Sequence, residues 1–166
     1  MINFKIILNV LGYLLVALSI LLIVPIIIDL ISGNESWKSF LISLIITLGF
    51  GVTFLLSTRN ELKNKILTQD AFLITTLSWI FISIFGALPF FFLDSSLSLT
   101  NSIFESMSGI TTTGSTIFNE VENLPQGILI WRSILQWVGG VGIIVMAGSI
   151  LPCLLYTSDA ADDDAC

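Results

Sequence analysis

The chain has 166 residues, 55% hydrophobic and 11% charged, whereas soluble domains are about a quarter charged, so it cannot cover a soluble globule with solvated side chains. Its formal charge of −6 rests on Asp159, Asp162, Asp163 and Asp164; without them 6 basic residues face 8 acidic ones, and no basic surface points to nucleic acid. There is no histidine, and both cysteines (Cys153 and Cys166) lie in the same terminal stretch, which excludes the usual metal ligands, the commonest general base and a disulfide framework.

The first apolar run covers residues 4–31. It is too long for the core of a signal peptide and lacks a small-x-small cleavage site, so it reads as a retained helix. Runs of about 20 residues match the hydrocarbon thickness of a bilayer. Backbone groups in lipid need internal partners, so each run is expected to be a helix, and Pro25 is tolerable where neighbours satisfy the freed groups. A polar turn at 32–36 leads to a second run at 37–56. The loop 57–69 then holds Arg59, Lys63 and Lys65, half of the 6 basic residues. The positive-inside rule puts that loop, and with it the N-terminus, in the cytoplasm.

A third run covers 70–93, with Asp70 or Thr68 expected to cap its start. After Asp94, Ser95 and Ser96 comes a shorter segment, 97–109, containing Asn101, Ser102, Glu105, Ser106 and Ser108. At about 1.5 Å per residue such a helix reaches only halfway through a bilayer. Gly109 is expected to close it, since glycine accepts the left-handed conformation found at helix C-termini. A polar stretch at 110–126 returns the chain outward, and a last run at 127–152 crosses back. From Cys153 the text changes to CLLYTSDAADDDAC, which resembles translated read-through of a sequencing-library adapter. Residues 153–166 are therefore expected to be foreign, with the natural protein continuing past Pro152.

A short helix and a threonine-rich segment between two full spans make the plan of a re-entrant pore loop. A dehydrated cation needs several oxygens in place of its water shell. Thr111, Thr112 and Thr113 favour extended backbone through β-branching and add hydroxyl oxygens. Gly114 can take positive φ and aim carbonyls that an L-residue would turn away. The half-helix presents its partly negative end to the ion. The four residues alone also fit an ordinary external turn; the half-length helix and flanking spans carry the pore reading.

Glu105 has two readings, tuning the field near the loop or, the favoured one, holding loop N–H groups. Arg132 pairs with Glu105, Glu120 or Glu122 or anchors the loop; equally, it snorkels to the interface. Gln136 is placed to satisfy loop backbone groups one turn deeper. Gly139, Gly140, Gly142 and Gly148 read as helix packing rather than a hinge. Trp37, Trp131 and Trp137 read as interfacial anchors, and Glu120 and Glu122 as vestibule or merely solvated charges.

The strings FESMSGITTTGST and LIWRSILQWVGGVGIIVMAGSILP strongly resemble the first pore repeat of the Trk/Ktr/HKT potassium transporter superfamily, with the Trk-type pore-forming subunit the nearest pattern. AFLITTLSWIFISIFGALPF resembles the outer helix of that repeat, and the two N-terminal runs resemble its preceding helix pair. The resemblance implies an all-α integral membrane fold: an N-terminal helix pair with its loop (1–69), then one helix–pore loop–helix repeat (70–152) with a re-entrant half-helix and filter strand. It implies potassium as transported substrate at Thr111, Thr112, Thr113 and Gly114; Glu105, Gly109, Arg132 and Gln136, singled out from the residues themselves, are expected to support that filter. It further implies three more repeats in the same chain, a homodimer, a cytosolic ring of nucleotide-binding regulatory subunits, and a multi-pass place in a bacterial inner membrane. No cofactor and no enzymatic chemistry are expected. The rivals are a non-conducting membrane scaffold and, weakly, a membrane-embedded enzyme.

Overall fold

The computed structural model describes residues 4–58, 68–93 and 97–162. The basic loop with Arg59, Lys63 and Lys65 lies outside the described residues, as do Asp94, Ser95, Ser96, Asp163, Asp164 and Cys166. Among the described residues there is no β-strand. Four segments are long and apolar enough to cross a membrane: Phe4–Ser32, Trp37–Thr58, Asp70–Leu93 and Gln126–Ile144.

The first span is two helices, α1 (Phe4–Leu21) and α2 (Ile23–Ser32), with a break at Leu22. Pro25 explains the break. Its ring has no N–H for the carbonyl of Leu21, four residues back, and clashes with it. α2 ends at Gly33, whose φ of 71° lets its N–H reach back to the carbonyls of Asp29 and Leu30. α3 (Trp37–Thr58) then packs along α1. Gly12 and Gly51 face each other where the two cross, a Cβ on Gly12 coming within 3.1 Å of the Gly51 carbonyl. Lipid tails are as apolar as leucine, so helices associate in a membrane through close fit, and small residues permit it. At the far end of this pair the buried Asn9 amide donates to Thr58 Oγ1 at 2.8 Å, a bond of the kind that contributes about 0.6 kcal/mol in a membrane.

α4 (Thr68–Leu93) carries Asp70, buried, in its first turn and Pro89 in its interior. Around Pro89, side chains from other helices reach α4 carbonyls: Trp131 donates to Gly86 at 3.0 Å and Ser39 to Phe92 at 2.9 Å. The half-helix α5 (Leu99–Ile110) follows, about 18 Å long at its 12 residues. A short 3₁₀ turn, Val121–Asn123, precedes α6 (Gln126–Asp162), which continues past Pro152. The core lies between α1, α3, α4 and α6, where Leu15, Leu18, Phe40, Phe85, Phe90, Ile128, Trp131 and Leu135 meet.

Trp131 corrects the expectation of an interfacial anchor. It is fully buried, edge-on to Phe40 at 6.4 Å, because it shares the inward face of α6 with Ile128 and Leu135. Trp137, on another face, is 67% exposed. The outer surfaces of the spans are apolar too, with Phe4, Tyr13, Ile45, Leu56 and Phe72 all exposed. Only a lipid solvent, or further protein, accommodates such a surface.

Candidate functional site

α5 is amphipathic in the inverted sense. Ser102, Glu105, Ser106 and Ser108 face inward, while Leu99, Phe104 and Met107 face out. Ser98 starts it, its hydroxyl accepting the Asn101 N–H at 3.2 Å. Of this buried stripe, Glu105 and Ser108 hold the segment that follows, Ser102 bonds back to the Ser98 carbonyl at 3.2 Å, and Ser106 Oγ has no hydrogen-bond partner among the described residues.

The end of α5 differs from the expectation that Gly109 closes it. Gly109 is inside the helix, and Thr111 (φ −79°, ψ 1°) is the cap residue. Beyond it Thr112 takes φ 57°, the left-handed region, at the place where glycine is usual. The N–H of Thr112 donates to Gly109 at 3.0 Å and that of Thr113 to Ser108 at 3.0 Å, the paired bonds of a Schellman ending. The reason is packing. A Cβ on Gly109 would stand 3.2 Å from Leu135 Cβ, and one on Gly139 would collide with the Ile110 carbonyl. Both glycines are spent on bringing α6 against the end of α5. Left-handed backbone costs an L-residue about 1–2 kcal/mol, and Thr112 bears that cost. Thr111 and Thr112 are also not extended, as β-branching alone predicts; the helix ending overrides the propensity.

Thr111 and Thr113 have negative φ, Thr112 and Gly114 have φ of 57° and 80°, so the sign alternates along the segment. Alternation of right- and left-handed residues turns successive N–H groups to one side. Here those of Thr111, Thr112 and Thr113 all point back at carbonyls of α5, those of Met107, Gly109 and Ser108. No peptide bond is cis. In a trans peptide the carbonyl opposes the N–H, so the carbonyls of Thr111 and Thr112 turn away from the helix end. Thr111 Oγ1 donates to the Met107 carbonyl at 2.8 Å and lies 2.8 Å from Thr113 Oγ1. With the Thr111 proton so used, Thr113 is the donor of that second bond. The result is an exposed arch, Thr111 to Gly114, rich in uncharged oxygen.

α5 also pins the far side of the arch. Ser108 donates to the Ser115 carbonyl at 2.5 Å. The Glu105 carboxylate accepts from the Thr116 hydroxyl at 3.0 and 3.1 Å and from the Ile117 N–H at 3.0 Å. Arg132 Nε sits 2.7 Å from Glu105 Oε1, with the carboxylate side chain 1% exposed. Of the partners open to Arg132, the structure selects Glu105; Glu120 and Glu122 are exposed, Glu120 accepting from Asn123 at 2.6 Å. Removing one partner of a buried pair costs about 3–5 kcal/mol because the other charge stays behind.

Gln136 is not part of this arrangement. It is exposed and makes no hydrogen bond to the loop, because the face of α6 toward α5 is filled by Leu135 and Gly139. Sequence reasoning missed Ser108 and Thr116 as loop holders. The signal was the i, i+3 spacing of Glu105 and Ser108 on one face of a short helix. Among the described residues no group of three or more Asp, Glu, His or Cys converges on a metal site. What the arch offers is backbone and hydroxyl oxygen, suited to a weakly held cation that is shedding water.

Residues 36–160 match the family described as TrkH, cation transport protein. The chain is 41% identical over 153 residues to the Trk system potassium uptake protein TrkH of Halomonas elongata, covering 92% of this chain and 32% of that one. It is 38% identical to the protein of the same name in Escherichia coli K12, with the same shares covered, 92% and 32%. The crystal structure of the potassium transporter TrkH from Vibrio parahaemolyticus superposes with a TM-score of 0.85 at 34% identity, over 91% of this chain and 32% of that one. The chain thus spans about a third of the length of the curated relatives it matches.

Proposed function

The chain belongs to the TrkH cation transport family, and from that premise we propose that it supplies the first pore repeat of a potassium uptake protein, with Thr111, Thr112, Thr113 and Gly114 as its share of the ion path. The observation that carries this reading is the alternating backbone of the arch, which turns N–H groups into α5 and carbonyls away from it. The relatives' names, Trk system potassium uptake protein, support potassium as the ion. Glu105, with Arg132 behind it, holds the return limb of the arch, and Gly109 lets α6 stand close enough for that pair to form.

One arch offers too few oxygens to replace a hydration shell, so three further repeats complete the path. They belong to the part of the relatives' length that this chain does not span. We read residues 1–69 as a helix pair accompanying the repeat at 70–152, and 153–166 as foreign from its change in composition alone, the family match itself running on to residue 160. The N-terminus faces the cytoplasm of a bacterial cell and the arch faces outward across the inner membrane. The full protein dimerises and binds a cytosolic nucleotide-binding ring. Transport needs no covalent step, so the protein is not an enzyme. The ion is held firmly enough to lose water and loosely enough to leave.

The test is rubidium uptake by the full-length protein in cells stripped of their own potassium uptake, wild type against Gly114→Ser. Wild-type uptake that collapses or loses its preference over sodium in a normally expressed variant supports the reading. Unchanged uptake and preference would remove the arch from the ion path.

A further inference from the structure

Not every buried acid belongs to the arch. Asp29, near the end of α2, is 0% exposed. Its carboxylate accepts the backbone N–H of Gly127 at 2.7 Å, the Ser36 hydroxyl at 2.6 Å and, at 3.4 Å, the Asn34 amide. Gly127 is in the first turn of α6, 98 residues further along the chain. The first N–H groups of a helix have no partner within it, and the dipole there favours an anion. Such groups are ordinarily met by the residue just before the helix, but here that residue is Pro125, which has no side-chain acceptor. Asp29 performs the task from the N-terminal helix pair. Ser32 of α2 adds a second tie, donating to Gln126 Oε1 at 2.7 Å. The fit is close: a Cβ on Gly127 would stand within 2.7 Å of Asp29 Oδ1.

Arg132 follows on the same helix, about 7.5 Å along its axis from Gly127. It grips Glu105, and Glu105 grips Thr116 and Ile117. A helix transmits axial position without compressing, so where Asp29 seats the start of α6 determines where Arg132 meets Glu105. We propose that Asp29 is a positioning residue for ion selectivity: through Gly127, Arg132 and Glu105 it sets the height of the arch, and the N-terminal helix pair is thereby part of the selectivity apparatus. This rests on the reading of the arch as the ion path.

The experiment uses the full-length protein with Asp29→Ala, Asp29→Asn, Gly127→Ala and, as reference, Gly114→Ser. Rubidium and sodium uptake are measured per unit of transporter in the membrane, with half-saturation and maximal rate taken separately. Asp29→Ala and Gly127→Ala are expected to lower the rubidium-over-sodium preference by roughly three- to tenfold, the scale on which a residue touching neither ligand modulates a site. Asp29→Asn recovers part of it, because its amide oxygen still accepts the Gly127 N–H. Preference at the wild-type value in both Asp29→Ala and Gly127→Ala, with Gly114→Ser still impaired, overturns the role of Asp29 and leaves the ion path standing. Loss of all three variants from the membrane, Asp29→Asn included, makes Asp29 a folding anchor and also overturns it. A Gly114→Ser protein that behaves as wild type overturns the ion path itself.

Discussion

Replacing Gly114 by alanine separates backbone geometry from steric fit. A Cβ there meets nothing within 4 Å, so the added methyl displaces no neighbour. What changes is the cost of holding φ at 80°, about 1–2 kcal/mol for an L-residue. The arch either bears that strain or relaxes to negative φ, which reorients the peptide groups flanking residue 114. A bias of about 1–2 kcal/mol is about five- to thirtyfold in an equilibrium, and the rubidium-over-sodium preference is expected to fall on that scale. Gly140 is the control for the added methyl: a Cβ on it also meets nothing within 4 Å, but it lies inside α6 and its φ is not positive. Gly140→Ala adds the same methyl without the backbone cost. Competitive uptake in cells lacking their own potassium systems, normalised to transporter in the membrane, compares the two. A lowered preference in Gly114→Ala alone supports the reasoning. Equal losses in both variants, or wild-type preference in Gly114→Ala, would refute it.

Glu105→Ala leaves Arg132 with no carboxylate and frees Thr116 and Ile117; a loss of about 3–5 kcal/mol is expected, read as a large drop in folded protein after detergent extraction, with Glu105→Gln paired with Arg132→Met recovering part of it. Gly139→Ala drives a Cβ into the Ile110 carbonyl, whereas a Cβ on Gly140 meets nothing within 4 Å; the first is expected to cost about 1–3 kcal/mol and the second to be tolerated, by thermal unfolding of the purified protein. Thr112→Gly removes the strain of φ 57° and is expected to fold at least as well as wild type; strong destabilisation in the same thermal assay would show that the left-handed turn is not the costly feature. Gly51→Val places a branched side chain where a Cβ is already 2.9 Å from Val16, and should separate α1 from α3 and lower the yield of folded protein.

The apolar runs were legible because the bilayer's thickness and the cost of unpaired backbone in lipid allow one solution, a helix of known length. The start of the second span at Trp37 and the end of the third at Leu93 follow directly. Gly114 was legible too, since no other residue type takes positive φ as easily. The cap at Gly109 was not. Local preference assigns a glycine near a helix end to the turn, but Gly109 was needed against Leu135, so the turn fell to Thr112. Gln136 failed for a related reason: helical spacing gives a residue's angle on α6, not which side of α6 meets α5.

The sequence by itself determined the spans, the half-length helix and the oxygen-rich segment after it, because each follows from local chemistry and the solvent around it. Tertiary structure alone decided the pairings: Arg132 with Glu105 rather than Glu120 or Glu122, Trp131 with Gly86, and Asp29 with Gly127. Each joins groups on different helices, and which helices touch is set by where glycine leaves room for close approach. That is a property of two surfaces meeting, and a single run of residues does not contain it.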